Sequence, residues 1–188
     1  MTSRFRAFVA ARPRLHRSLQ LLTWAPVAFF ANQHIAGVIA IEGRSMQPTF
    51  NPDASMLHED VVFVNRFVKI TQNWRVGDIV TFWAPGVNSF VLVTKRIIAL
   101  EGDIVRTLHP WKDKTVRVPQ GHAWVEGDEP IRSRDSNTFG PLPLGLVDGR
   151  IDAVLWPHWR FRRIHRSMPE AAEKRVIHHR NNAMKTED

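Results

Sequence analysis

The sequence predicts a mainly β domain behind one N-terminal transmembrane helix. Three observations carry this expectation. After residue 55, short runs rich in branched and aromatic residues recur between glycine and proline turns. Before it, residues 19–41 form a stretch of twenty-three residues with no formal charge, preceded by an arginine-rich start. The net charge of +8 is also unevenly placed. Residues 1–44 carry +5, residues 158–188 carry +4, and the long middle is at −1. A nucleic-acid reader needs its basic face on the folded body. Basic flanks around a nearly neutral body fit a membrane-proximal protein instead.

The N-terminal element comes first. Arg4, Arg6, Arg12, Arg14 and Arg17 lie among seventeen residues that hold no acid. About 20 apolar residues cross a hydrocarbon core, so 19–41 is long enough for an anchor. Gln20, Asn32, Gln33 and His34 interrupt it, and Pro26 would kink it. The polar triplet favours the alternative of an amphipathic or core helix. The long basic lead-in argues against a cleaved signal peptide, and an acid-free, arginine-rich start also suits mitochondrial targeting. A spanning helix would keep the arginines on the cytoplasm-like side and place the body across the membrane. Ser45 would then lie close to the bilayer surface.

The body follows as strands at 61–68, 78–83, 90–100, 104–108, 116–118, 123–125 and 151–156. Turns such as Val76-Gly77, Pro85-Gly86 and Gly127-Asp128 separate them. Many short strands with such punctuation predict a sandwich or barrel-like domain. Beyond residue 160 the pattern fades into a charged helix or, preferably, a solvated tail. The expected organisation is a basic segment at 1–18, an anchor at 19–41, a β domain at 42–159 and a charged tail at 160–188. With 188 residues and no cysteine, one domain with a full core is expected. Disulfides, zinc thiolates and a thiol nucleophile are excluded. The nine histidines show no metal-ligand spacing such as H-E-x-x-H.

Four segments carry chemistry. In Gly43-Arg44-Ser45-Met46-Gln47-Pro48-Thr49, a hydroxyl sits on a turn. It is a nucleophile only beside a base and an anion-stabilising pocket; otherwise it is a plain loop serine. Gln47 lacks the glycine of the α/β-hydrolase elbow, and Pro48 lacks the lysine of the β-lactamase pattern. In the strand at 91–98, Val91, Val93, Lys95 and Ile97 share one face. A buried lysine without a full counter-charge loses its proton more easily and can act as a general base. The alternative is an edge strand whose Lys95 snorkels to water. Residues 127–140, GDEPIRSRDSNTFG, are a polar loop, and Gly77-Asp78-Ile79-Val80 a turn into a strand.

Taken in series, the apolar run, SMQPT, GDIV, TKRIIALEGD and GDEPIRSRDS resemble the type I signal peptidase family, which works with a serine–lysine dyad. The resemblance covers roughly residues 20–157. The ending DSNTFGPLPLGLVDGRI is most similar to the subunit 2 branch of the mitochondrial inner membrane peptidases within it. The resemblance implies a signal-peptidase-like antiparallel β domain, Ser45 as nucleophile and Lys95 as general base. It further implies that Ser133 hydrogen-bonds and orients the lysine, that Asp135 braces the site, and that Arg96 is a basic partner for Asp135. Gly127, Asp128 and Ser136 fall on motif positions of lesser, structural role, and Met46, Pro48 and Thr49 shape the loop.

Two departures stand out. Gly43 occupies the place of a serine that helps the oxyanion hole in many bacterial members, so the hole must rest on backbone N–H groups or another donor. Asn137 stands where arginine is usual, which would leave Asp135 leaning on Arg96. The implied activity is membrane-bound removal of sorting presequences from proteins of the intermembrane space, with small side chains preferred before the cut. Implied partners are such preproteins, the membrane and a second catalytic subunit in a heterodimer. No metal, organic cofactor or nucleic acid is implied. Phe50, Phe82 and Trp83 would touch lipid or pack in the core. Rival readings are a plasma-membrane signal peptidase of bacterial type, a catalytically silent assembly subunit, a soluble self-cleaving repressor and a basic nucleic-acid binder.

Overall fold

The computed structural model of the chain describes residues 13–53, 59–85, 91–110 and 114–178, with side chains from residue 22 onward. It divides the uncharged run into two elements. Helix α1 (Pro13–His34) carries Pro26 inside it. The chain then turns into strand β1 (Ala36–Ile41), paired antiparallel with β2 (Asp60–Asn65) so that Ile41 faces Asp60. The anchor expected at 19–41 is therefore corrected. Its last six residues, AGVIAI, pair along one edge with β2 in a sheet, where branched side chains pack well. The helical remainder from 19 to 34 rises about 24 Å, short of the roughly 30 Å hydrocarbon core. Among the described residues, no helix is long and apolar enough to cross a membrane. Even so, α1 leaves Leu22, Trp24, Val27, Phe29 and Phe30 each more than half exposed.

The expectation of a mainly β, antiparallel domain holds. Eight strands form one sheet in the order β1-β2-β9-β3-β4-β7-β8, with β10 pairing on β9. Its further members are β3 (Ile79–Trp83), β4 (Leu92–Leu100), β7 (His122–Glu126), β8 (Leu142–Pro143), β9 (Val147–Trp156) and β10 (Arg162–Arg163). A second sheet has β5 (Ile104–Arg106) between β6 (Thr115–Arg117) and β11 (Val176–Ile177). All these pairings are antiparallel. The strand expected at 61–68 stops at Asn65. There the N–H groups of Arg66 and Phe67 donate to the Ile35 carbonyl, and the chain enters the short helix α2 (Phe67–Thr71).

The tail is the larger correction. Residues 160–178 are bound to the domain through β10, the short helix α4 (Glu170–Glu173) and β11. Arg160 reaches Asp60, Arg166 reaches Asp78 and Arg175 reaches Glu126, with the three carboxylates almost wholly buried. Each pairing gives a buried acid its counter-charge, without which burial would be prohibitive. Residues 179–188 lie outside the described part. Phe50 and Phe82 are fully buried in the core, while Trp83 is partly exposed.

Candidate active site

The turn after β1 carries Ser45. Met46 and Phe50, both after it in the chain, plug into the core, and the Phe50 N–H donates to the Met46 carbonyl at 2.9 Å. Asn51, at a left-handed φ of 46°, closes the neck of this loop by donating to the Ile41 carbonyl at 2.5 Å and the Gly43 carbonyl at 3.3 Å. Asp60 exchanges two bonds with Asn51, at 2.7 and 2.9 Å. Arg160 in turn grips Asp60 at 2.5 and 2.6 Å. Sequence reasoning missed Asn51, Asp60 and Arg160. Their only signals are an asparagine after a turn and an acid opening a strand.

Lys95 enters from β4. This strand is interior, between β3 and β7, so the edge-strand alternative falls. Lys95 is 2% exposed, and its Nζ lies 2.6 Å from Ser45 Oγ. No described carboxylate forms an ion pair with it. Burial therefore dominates and pulls its pKa from 10.5 down to about 8, against the upward push of the Asp135 and Asp128 carboxylates. A neutral amine beside a hydroxyl can accept its proton, which is the elementary requirement for a serine nucleophile.

Arg96, the next residue, points to the other side of the strand and is 3% exposed. Its guanidinium forks onto Asp128 at 2.8 and 2.7 Å. Its Nη1 donates to the carbonyls of Gly77 and Ser167 at 3.2 and 2.9 Å. The expected Arg96–Asp135 pair is thus corrected to Arg96–Asp128, and Asp128 has a larger part than a minor motif position. Thr49 Oγ donates to the same carboxylate at 2.5 Å, tying the serine loop to the pair. The Glu129 N–H donates to the Ser45 carbonyl at 3.1 Å. Gly127 makes this docking possible, because a Cβ there would overlap Ser133 Oγ and lie 2.5 Å from the Ser45 carbonyl oxygen.

Ser133 stands beside this junction, but its buried Oγ has no hydrogen-bond partner among the described residues. The expected bond to Lys95 is absent from this arrangement. Asp135 caps the short helix α3 (Ser136–Phe139) and takes the N–H groups of Asn137 and Gly127 at 3.0 and 3.1 Å. A cavity of about 330 Å³ opens next to it, lined by Leu108, Ile131, Ser133, Asp135 and Asn137 among others.

The signal peptidase family, peptidase S26, matches residues 14–110 and 105–156. The chain belongs to this family. It is 44% identical over 141 residues to the mitochondrial inner membrane protease subunit 2 of Schizosaccharomyces pombe, covering 75% of this chain and 76% of that protein. The Danio rerio protein of the same name is 44% identical over 144 residues, 77% of either chain. Subunit 1 of the Homo sapiens protease is 36% identical over 134 residues, 70% of this chain and 76% of that one.

The two departures from the signal peptidase pattern have local explanations. Gly43 has φ 82°, a conformation that a serine would adopt only with strain. Asn137 does not leave Asp135 dependent on Arg96. Its amide bridges Asp135 and Glu126, at 3.2 and 3.0 Å, and its Oδ1 accepts from the Leu108 N–H at 2.7 Å.

Proposed function

We propose that this signal peptidase is a serine endopeptidase of the mitochondrial inner membrane that removes sorting presequences from proteins delivered to the intermembrane space. The observation that carries the reading is the 2.6 Å contact between Ser45 Oγ and a buried Lys95 amine with no ion-pair partner. Neutral Lys95 takes the hydroxyl proton as Ser45 Oγ attacks the scissile carbonyl carbon. The resulting oxyanion is held by backbone N–H groups, that of Ser45 first, which has no acceptor among the described residues. The protonated lysine gives its proton to the leaving amine, and the C–N bond breaks to leave an acyl-serine. Lys95 then deprotonates a water that releases the acyl fragment and regenerates the serine. Asp135 acts on the lysine through space, Ser133 Oγ is free to reach it during the reaction, and Arg96 with Asp128 holds the serine loop.

The exposed apolar side chains of α1 support attachment to lipid, and with it a β domain held at the intermembrane-space face of the membrane. Relatives named for both subunits of the inner membrane protease support a heterodimer with a second catalytic subunit. The test is cleavage of a preprotein by mitochondria whose only copy is Ser45→Ala or Lys95→Ala. Each variant should stay folded and membrane-bound and leave the precursor uncut. Normal cleavage by Lys95→Ala would remove the dyad. Protease protection with an epitope on the tail checks the compartment.

A further inference from the structure

We propose that Arg175, in the C-terminal segment, is a positioning residue that acts on the lysine side of the site through Glu126, Asn137 and Asp135. This rests on the Ser45–Lys95 reading and extends it to a segment outside the matched family region, which ends at 156. β11 pairs with β5, and the Arg106 N–H donates to the Arg175 carbonyl at 2.8 Å, which fixes where Arg175 sits. Its guanidinium donates to Glu126 Oε2 at 2.5 Å, to Oε1 at 3.1 Å and to the Arg106 carbonyl at 2.9 Å. Glu126 Oε1 also accepts from Trp124 Nε1 at 2.9 Å and from Asn137 Nδ2 at 3.0 Å. Asn137 Nδ2 and its backbone N–H reach Asp135 Oδ1 at 3.2 and 3.0 Å.

Two buried carboxylates thus share one neutral amide. Without a cation on the far side, Glu126 and Asp135 would repel across Asn137 and each would be short of counter-charge. Arg175 neutralises the outer carboxylate, so Asn137 can stay between the two and Asp135 can keep its place. Glu126 pairs directly with Arg96 across β4 and β7, so it lies on the Arg96 face of the sheet and reaches the lysine side only through Asn137 and Asp135. The charged groups that act on the amine are Asp135 and Asp128 on the loop after β7; Arg96 lies on the opposite face of β4 against Asp128, and Glu126 and Arg175 stand one and two contacts beyond Asn137. His109 lines the same cavity as Glu126 and Asp135.

The experiment is the pH profile of kcat/KM for the full-length chain in its native membrane complex, with thermal melts alongside. Arg175→Gln leaves Glu126 uncompensated, which favours protonated Lys95. The rising limb should move up by about half to one pH unit, with kcat reduced more than KM is changed. Glu126→Gln leaves the cation uncompensated and should move the limb down. The double variant should return it close to the wild-type position, and Arg175→Lys should restore most of the activity. A purely structural ion pair would lower thermal stability in both single variants with the midpoint unmoved, and that result overturns the proposal. If Arg175→Gln does not fold, an unshifted midpoint in Glu126→Gln overturns it equally. A flat wild-type profile would instead overturn the Ser45–Lys95 reading, and this inference with it.

Discussion

Lys95 and Arg96 are neighbours on β4, carry the same formal charge and are 2% and 3% exposed, yet the two faces of the strand treat them oppositely. Arg96 meets a carboxylate in a two-pronged contact and two carbonyls besides. Lys95 meets a hydroxyl at 2.6 Å, and the nearby carboxylates act on it only through space. The residue types suit these surroundings. Guanidinium does not lose its proton in a protein, so its burial requires a full set of acceptors. An ammonium can shed its charge, so desolvation without an ion pair converts it into a base. One face of β4 therefore holds the loops together, and the other leaves a buried amine against a hydroxyl.

The contrast can be broken most severely on the lysine side. Ser45→Ala and Lys95→Ala should each lower turnover of a presequence peptide by on the order of a thousandfold or more. Lys95→Arg should fall as far as Lys95→Ala, because it keeps the charge and loses the titration. Recovery of cleavage by Lys95→Arg would show that the position needs only a cation.

On the other face, Arg96→Met should leave Asp128 buried and unpaired. It should lower unfolding stability by about 3 kcal/mol in denaturant melts, as for other broken buried pairs. A loss indistinguishable from zero would mean that the serine loop does not depend on that pair.

Comparable in size but opposite in sign is the effect of removing the buried amine. The folded-state pKa of about 8 lies below the free value of 10.5. The unfolded chain therefore holds the proton more tightly, and the lysine's contribution to stability rises as pH climbs from about 8 to 10.5. Below that window the buried charge costs about 3 kcal/mol. Lys95→Met should be inactive yet melt several degrees higher at pH 7 and lack the alkaline rise. The same pKa predicts a kcat/KM limb that rises with a midpoint near 8 in the wild type.

The smallest effect is expected at Ser133. Its hydroxyl is buried without a partner in the resting site. Ser133→Ala should slow turnover only a few-fold and leave stability unchanged or slightly raised. Unaltered kinetics would remove the hydroxyl from the reaction.

The pairing of Ser45 with Lys95 was legible before any fold, because SMQPT and TKRIIALEGD in that order are a specific signal and strand alternation set Lys95 among valine and isoleucine. The period of two could not tell an interior strand from an edge, since both alternate alike. Arg96 had two aspartates to choose from, Asp128 and Asp135, only seven positions apart in one loop. Composition cannot rank such partners, and geometry chose the nearer in sequence to β7. The apolar run misled because residues 36–41 are equally fit for a membrane and for a sheet. The tail showed no hydrophobic period because it is held to the body by ion pairs together with a few irregularly spaced apolar contacts of Ile164, Met168, Ala172 and Val176.

By itself the sequence determined the chemical groups, their order and the strand-rich character of the body, since these follow from residue type and local spacing. Tertiary structure alone decided that Lys95 is buried without an ion pair among the described residues, which acids Arg96, Arg160, Arg166 and Arg175 meet, and where the tail lies. Those outcomes depend on desolvation and on contacts between residues as far as 113 positions apart, as for Arg162 and Thr49. Neither quantity has a local signature along a chain.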